Sequence, residues 1–305
     1  MSKSVSRNLP ASVRQRLLNI SKSTGDPFDL ILIRYALERF LYRLSISPYA
    51  NQFILKGAML MAVWGGGLHR PTRDLDLLGY GSMSVDLIAD VFKKICQVEA
   101  EPDGLTFDMG TLRVEEIREQ EEYQGHRVQF TANLAEARIY LQVDIGYGDL
   151  ITPEASYIDY PTLLEYPAPK IRAYPKESVV SEKVQAMVAL GMVNSRLKDF
   201  YDIWIISKEF GFEGQTLVES IIGTFNRRST DIPISLPTAL TEEFANDAEK
   251  MKQWRAFLQR SGLGGVTTTL PQVIDDLKEF LFEPFFAAAH KTICNKTWRA
   301  GGPWS

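Results

Sequence analysis

The sequence predicts an α+β protein: a mixed β-sheet domain with flanking helices, followed by an all-helical C-terminal domain. Three observations predict it. Short apolar or alternating runs and helical stripes are interspersed over the first 150 residues. Pro153, Pro161, Pro167, Pro169 and Pro175 then stiffen a stretch that no single regular element can span. Beyond residue 176 nearly every segment carries the helical period. The expected division is 1–150 for the mixed domain with its N-terminal helices, 151–176 for a Pro-rich connection, and 177–305 for the helical domain.

The elements follow in order. Residues 11–23 read as a short helix. Asp26-Pro27 reads as the start of the next, with Asp as N-cap and Pro at the first helical position. Leu30, Ile33, Leu37, Phe40, Leu41 and Leu44 then form its core stripe. FILK (53–56) is a short apolar strand, and 57–64 reads as a helix stopped by Gly65-Gly66-Gly67. DLDLLGY (74–80) is a strand and 84–98 an amphipathic helix. Three strands follow at 112–117, 126–134 and 138–147. The last alternates strictly, with Ile139, Leu141, Val143 and Ile145 on one face and Gln142 and Asp144 on the other. Helices are expected at 178–191, 196–210, 214–227, 238–260 and 270–288.

Composition narrows the function. The chain of 305 residues is 45% apolar and carries a formal charge of −4, which opposes a nucleic-acid coat over the whole surface but leaves room for a local basic groove. No apolar run approaches the roughly 18 residues of a membrane span. The N-terminus MSKSVSRNLPASVRQR has no apolar core of a secretory signal. Cys96 and Cys294 match no metal spacing and read as reduced thiols of a cytoplasmic protein. Histidines at 69, 126 and 290 are too scattered for a zinc site, and His69 reads as a loop residue. No G-x-S-x-G supports a serine hydrolase.

The chemistry concentrates around residues 53–78. Asp74 and Asp76 share one face of a strand, with Leu75 and Leu77 on the other. Two carboxylates so placed repel unless a cation bridges them, and Mg²⁺ suits a pair that also meets substrate phosphates. Gly57, at a strand-to-helix turn, lets a phosphate approach the backbone. Asp144 is a candidate third carboxylate, either to hold a second metal or to take a proton. In the helical half Lys183 sits at the edge of a stripe formed by Val180, Val184, Met187, Val188 and Gly191. There it can bury its stem and present its ammonium. Asp199 and Asp202 are i, i+3 neighbours on the next helix, placed for a charge clamp or for helix salt bridges with Arg196 or Lys198. Arg227, Arg228, Lys291, Lys296 and Arg299 fit either RNA phosphates or a solvated face.

These stretches resemble a known family. FILKGAMLMAVW and RPTRDLDLLGYG are similar to the first motif of the nucleotidyltransferase superfamily. RYALERFLYRLS, QVDIGYGD, YPTLLEYPAPKIRAYPKESVVSEKVQAMVALGM and NSRLKDFYDIW resemble more narrowly the AbiEii/AbiGii toxins of bacterial toxin–antitoxin and phage-defence modules. The resemblance implies a nucleotidyltransferase-like sheet, a helical domain completing the active-site cleft, and Mg²⁺-dependent transfer of nucleotides from NTP to an RNA. The tRNA 3′ acceptor end is the implied target, and its modification blocks translation. It implies Asp74, Asp76 and Asp144 as metal ligands, Gly57 as the start of the triphosphate turn, Lys183 as a nucleotide contact and Asp199 as a catalytic-site acid. Asp202 stands beside them as a further nucleotide-site residue. Ala58 departs from the Ser or Gly common in the superfamily, so the triphosphate is left to backbone N–H groups and to Lys56 or Arg73. An antitoxin partner, a winged-helix repressor encoded nearby, is also implied. Two rivals remain at this point: transfer to a protein or small molecule, and a partner protein that binds NTP without turnover.

Overall fold

The computed structural model describes residues 8–64, 70–81, 83–119 and 123–305. The triple glycine and His69 lie outside the described residues. The chain forms two units: Met1–Gly148 with Tyr157–Ala173, and Asp149–Ser156 with Tyr174–Ser305.

The first unit begins with α1 (Leu9–Thr24) and α2 (Phe28–Ser45). Pro27, not Asp26, stands at the N-cap of α2, and Asp26 supplies no capping bond. Extended backbone at Pro27 (ψ 132°) starts the helix, and its carbonyl accepts from Leu30 and Ile31. Next come β1 (Phe53–Lys56), α3 (Leu60–Trp64), β2 (Asp74–Gly79), α4 (Val85–Cys96), β3 (Leu105–Glu119), β4 (Tyr123–Leu134) and β5 (Ala137–Tyr147). Residues 57–59, expected to be helical, form a turn instead, because Gly57 takes φ +75°. Ser84 caps α4 by accepting from the Leu87 N–H.

β6 (Ser156–Asp159) and β7 (Lys170–Ala173) complete a sheet of seven strands in the order β3-β4-β5-β2-β1-β7-β6. Two strands of the sheet therefore lie within the stretch expected as a Pro-rich connection. Its prolines flank the two strands rather than interrupt them: Pro161, Pro167 and Pro169 fall between β6 and β7, and Pro175 follows. β2 runs parallel to β5 and antiparallel to β1. Phe40 of α2, Phe92 of α4 and Phe130 of β4 cluster beneath the sheet, with Phe40 ring centroids 5.3 and 5.5 Å from the other two.

The second unit contains α5 (Lys176–Leu190), α6 (Leu197–Glu209), β8 (Phe212–Glu213), α7 (Gly214–Arg227), α8 (Glu242–Asn246), α9 (Ala248–Arg260), α10 (Leu270–His290) and β9 (Thr297–Trp298). The single helix expected over 238–260 is broken into pieces. Thr241 and Asp247 each accept a backbone N–H from the following turn, so two N-caps restart the helix. Among the described residues no helix is long and apolar enough to cross a membrane.

A buried ion network ties α2 to the chain entering β3. Arg43 holds both oxygens of Asp103 at 2.6 and 3.2 Å, and Arg39 reaches the same carboxylate at 3.2 Å. Glu38, fully buried next to this network, accepts the Leu163 N–H at 2.7 Å. Burial pushes its carboxyl up from 4.5 to about 7, against the opposing pull of that N–H, Arg39 and Arg34. The folded chain thus binds a proton that the unfolded chain has released. The stability this supplies is complete below pH 4.5 and is lost as pH rises through about 7. Urea unfolding of Glu38→Gln should show a flatter pH profile than wild type, with an advantage on the order of 2 kcal/mol appearing between pH 5 and 8.

Candidate functional site

Strand pairing builds the site. In the parallel β2–β5 register Asp76 lies opposite Asp144 and Asp74 opposite Gln142. Leu75 and Leu77 on β2, and Ile139, Leu141, Val143 and Ile145 on β5, are buried on the other face. Alternation therefore drives the three aspartates to one side of adjacent strands. One carboxylate oxygen from each of Asp74, Asp76 and Asp144 lies within 4.8 Å of the others.

Gly57 ends β1 directly against this cluster. A Cβ built there would sit 2.7 Å from Asp76 Cγ and 2.8 Å from Asp76 Cβ. Both this approach and φ +75° demand glycine. Lys56 pairs with Asp76 in the antiparallel β1–β2 register. Ala58 is buried and offers no hydroxyl. Arg73 is ion-paired with Asp29 at 2.6 Å, both side chains being more than half exposed.

Sequence reasoning missed Arg127. In the antiparallel β4–β5 pairing it lies opposite Asp144. Its guanidinium forks onto both oxygens of Asp144 at 2.8 and 2.9 Å. These hydrogen bonds, with the charges of Asp144 and Asp74, raise the pKa of Arg127. Gln142 donates to Asp144 at 3.2 Å, and Gln129 to Gln142 at 3.1 Å. Thr72 donates to Asp74. The alternation of Arg127 and Gln129 with buried Val128 and Phe130 was legible, but the register that sets Arg127 opposite Asp144 was not.

The donor set fits a hard divalent cation. Three carboxylates are crowded together within 4.8 Å, the hard oxygen donors that such a cation prefers. All three are partly exposed rather than sealed, so an ion has access.

In the second unit Lys183 donates to Asp199 at 2.6 Å and pairs with Asp202 at 2.9 Å. Arg196 adds a bond to the other Asp199 oxygen at 2.8 Å. Both acids are almost fully buried, at 1% and 2% exposure, and Lys183 is 14% exposed. Burial alone would raise the Asp199 carboxyl, but Lys183 and Arg196 hold it below its ordinary value. Lys183 thus bridges both acids, and Arg196 makes the expected i, i+3 helix salt bridge with Asp199. Arg228 pairs with Asp149 at 3.0 Å and with Glu182 at 3.4 Å, and Lys296 with Glu283.

A mixed sheet with acids converging from neighbouring strands, beside a tight glycine turn, fits a nucleotidyltransferase. The profile of the family described as "Nucleotidyl transferase AbiEii toxin, Type IV TA system" matches residues 39–281, and the chain belongs to that family. Its activity is nucleotidyl transfer and its setting a type IV toxin–antitoxin system. Among solved structures, the chain is similar to JHP933 from Helicobacter pylori and to a putative nucleotidyltransferase from H. pylori. Each is 14% identical with a TM-score of 0.47, over 84% of this chain and 91% and 94% of those chains. No match emerges among curated proteins.

Two outcomes test this geometry. Gly57→Ala should lower stability by about 1–3 kcal/mol in thermal unfolding. By displacing Asp76 it should also cut nucleotidyl transfer about 100-fold or more. Lys183→Met removes the lysine that two buried carboxylates share. It should cost roughly 3–5 kcal/mol in chemical denaturation, whatever it does to activity.

Proposed function

We propose that this chain is the toxin of its module, and that it transfers a nucleotidyl group from an NTP to an RNA, at the tRNA 3′ acceptor end, with Mg²⁺ as cofactor. The observation that carries this reading is the trio Asp74, Asp76 and Asp144 gathered next to Gly57. The ion-paired cluster of Lys183, Asp199 and Asp202, which lies within the span that matches the family, adds to it.

The reaction balances simply. An RNA hydroxyl oxygen forms a bond to the α-phosphorus, the bond from that phosphorus to its bridging oxygen breaks, and pyrophosphate leaves with the electron pair. Mg²⁺, held by Asp74 and Asp76 with Asp144 beside them, supplies neutralisation of phosphate charge when bound. Gly57 makes the tight turn after β1, and backbone N–H groups there are assigned to the triphosphate, since Ala58 has no hydroxyl to offer. Lys56 and Arg73 are the flanking cations on this unit. Asp144 is the acid assigned to receive the hydroxyl proton, once Arg127 gives up one of its oxygens. Lys183 is assigned to the nucleotide, with Asp199 and Asp202 orienting its ammonium. Blocking the 3′ end stops aminoacylation and hence translation, which accounts for toxicity. A cognate antitoxin, in this reading a winged-helix repressor encoded nearby, restrains it.

Each labelled NTP in turn should be incubated with the protein and total tRNA, and separately with a lysate stripped of RNA. Label on tRNA that Asp74→Asn abolishes is the expected result, together with relief of growth inhibition by the same substitution. Label appearing only on protein would transfer the reading to a protein acceptor. Mg²⁺-dependent NTP binding without product would leave a non-catalytic role.

A further inference from the structure

On the first unit an open cavity of about 1050 Å³ adjoins the carboxylates. Asp74 and Gln142 belong to its wall, so the cavity is continuous with the candidate metal site. The rest of the wall includes Arg70, Arg113, Arg138 and Tyr140. The polar face of β5 carries Arg138, Tyr140, Gln142 and Asp144 in succession, while the residues between them are buried. At about 3.3 Å per residue this row spans about 20 Å and ends on the third carboxylate.

Its chemistry matches an unpaired nucleic-acid strand. Tyr140 is 69% exposed on a sheet face that is otherwise polar, and the Arg138 guanidinium lies 5.4 Å from its ring centroid. An exposed ring with a guanidinium beside it is a platform on which a base can stack. Arg113, exposed on β3, adds charge across the cavity for the phosphates. The paired amides of Gln129 and Gln142 form an uncharged floor between the ring and Asp144. The wall carries Arg70, Arg73, Arg113 and Arg138 against Asp29 and Asp74, an excess of positive charge on a chain whose net charge is −4.

Sheet order separates this cavity from the triphosphate turn. Gly57 follows β1, on one side of β2, whereas β5, β4 and β3 lie on the other. The two sides of the aspartate pair therefore offer different surfaces: a close backbone turn on one, and a long basic and aromatic trough on the other.

We propose that the trough is the acceptor path: an unpaired RNA 3′ end lies along β5, stacks a base on Tyr140, sets its phosphates against Arg113 and Arg138, and delivers its terminal hydroxyl at Asp144. This rests on the reading of RNA as the acceptor. It adds the surface, the polarity of the strand and the requirement for single-stranded character.

The test is fluorescence anisotropy in metal-free buffer with a labelled single-stranded RNA of about eight nucleotides. Tyr140→Ala and the double variant Arg113→Ala/Arg138→Ala should each weaken binding about tenfold, while Tyr140→Phe binds as wild type. The slope of log affinity against log salt should fall by about 0.7 per arginine removed. A blunt duplex should bind more weakly than the single strand, and NTP affinity should be unchanged in every variant. The residues are exposed strand positions, and thermal unfolding of each variant confirms that the fold is retained. Wild-type affinity for the single strand in both alanine variants, with RNA labelling by NTP intact, overturns the acceptor path and leaves the RNA reading standing. Absence of RNA labelling by the wild-type protein removes the RNA reading itself.

Discussion

Everything in the first unit turns on the mutual repulsion of three carboxylates held together by strand pairing. The parallel β2–β5 register sets Asp76 against Asp144, and the antiparallel β1–β2 register brings Gly57 beneath Asp76. Neither arrangement is favourable for the side chains alone, because like charges at such spacing raise each other's energy. The buried leucines and branched residues on the opposite face of the same strands hold them there. A one-residue slip of β5 would turn Asp144 into the core, so the apolar pattern that stabilises the sheet also enforces the site.

Arg127 shows how the fold tolerates that charge. Its fork on Asp144 satisfies one member of the trio from a neighbouring strand. The second unit handles charge differently. Lys183 and Arg196 neutralise two acids that are almost wholly buried, so these residues contribute to the integrity of the helices as well as to any role with nucleotide. Loss of activity on removing Lys183 is therefore interpretable only alongside a measure of folding.

Much of this was legible in the sequence where a local rule decides the outcome. Alternation over 139–145 placed Asp144 on the polar face, and the spacing of Asp74 and Asp76 placed them together. The positions of α1, α2 and α5–α7 followed from apolar periodicity. The misses share a cause, in that each depends on a partner distant in sequence or on a cap competing with periodicity. Arg127 acquires meaning only from the β4–β5 register. β6 and β7 were hidden by prolines that lie between them, and pairing with β1 reveals β7 as a strand. The break within 238–260 reflects two side-chain caps overriding a continuous helical stripe. Gly57 delays α3 because its approach to Asp76 requires a left-handed turn that periodicity does not register.

The central claim is that these acids form a divalent-cation site. It is tested most directly by equilibrium Mn²⁺ binding followed by electron paramagnetic resonance, on wild type and Asp76→Asn compared at matched stability. The account predicts saturable binding to the wild-type protein that the single substitution removes. Equal binding by the two proteins, or none by either, would contradict it.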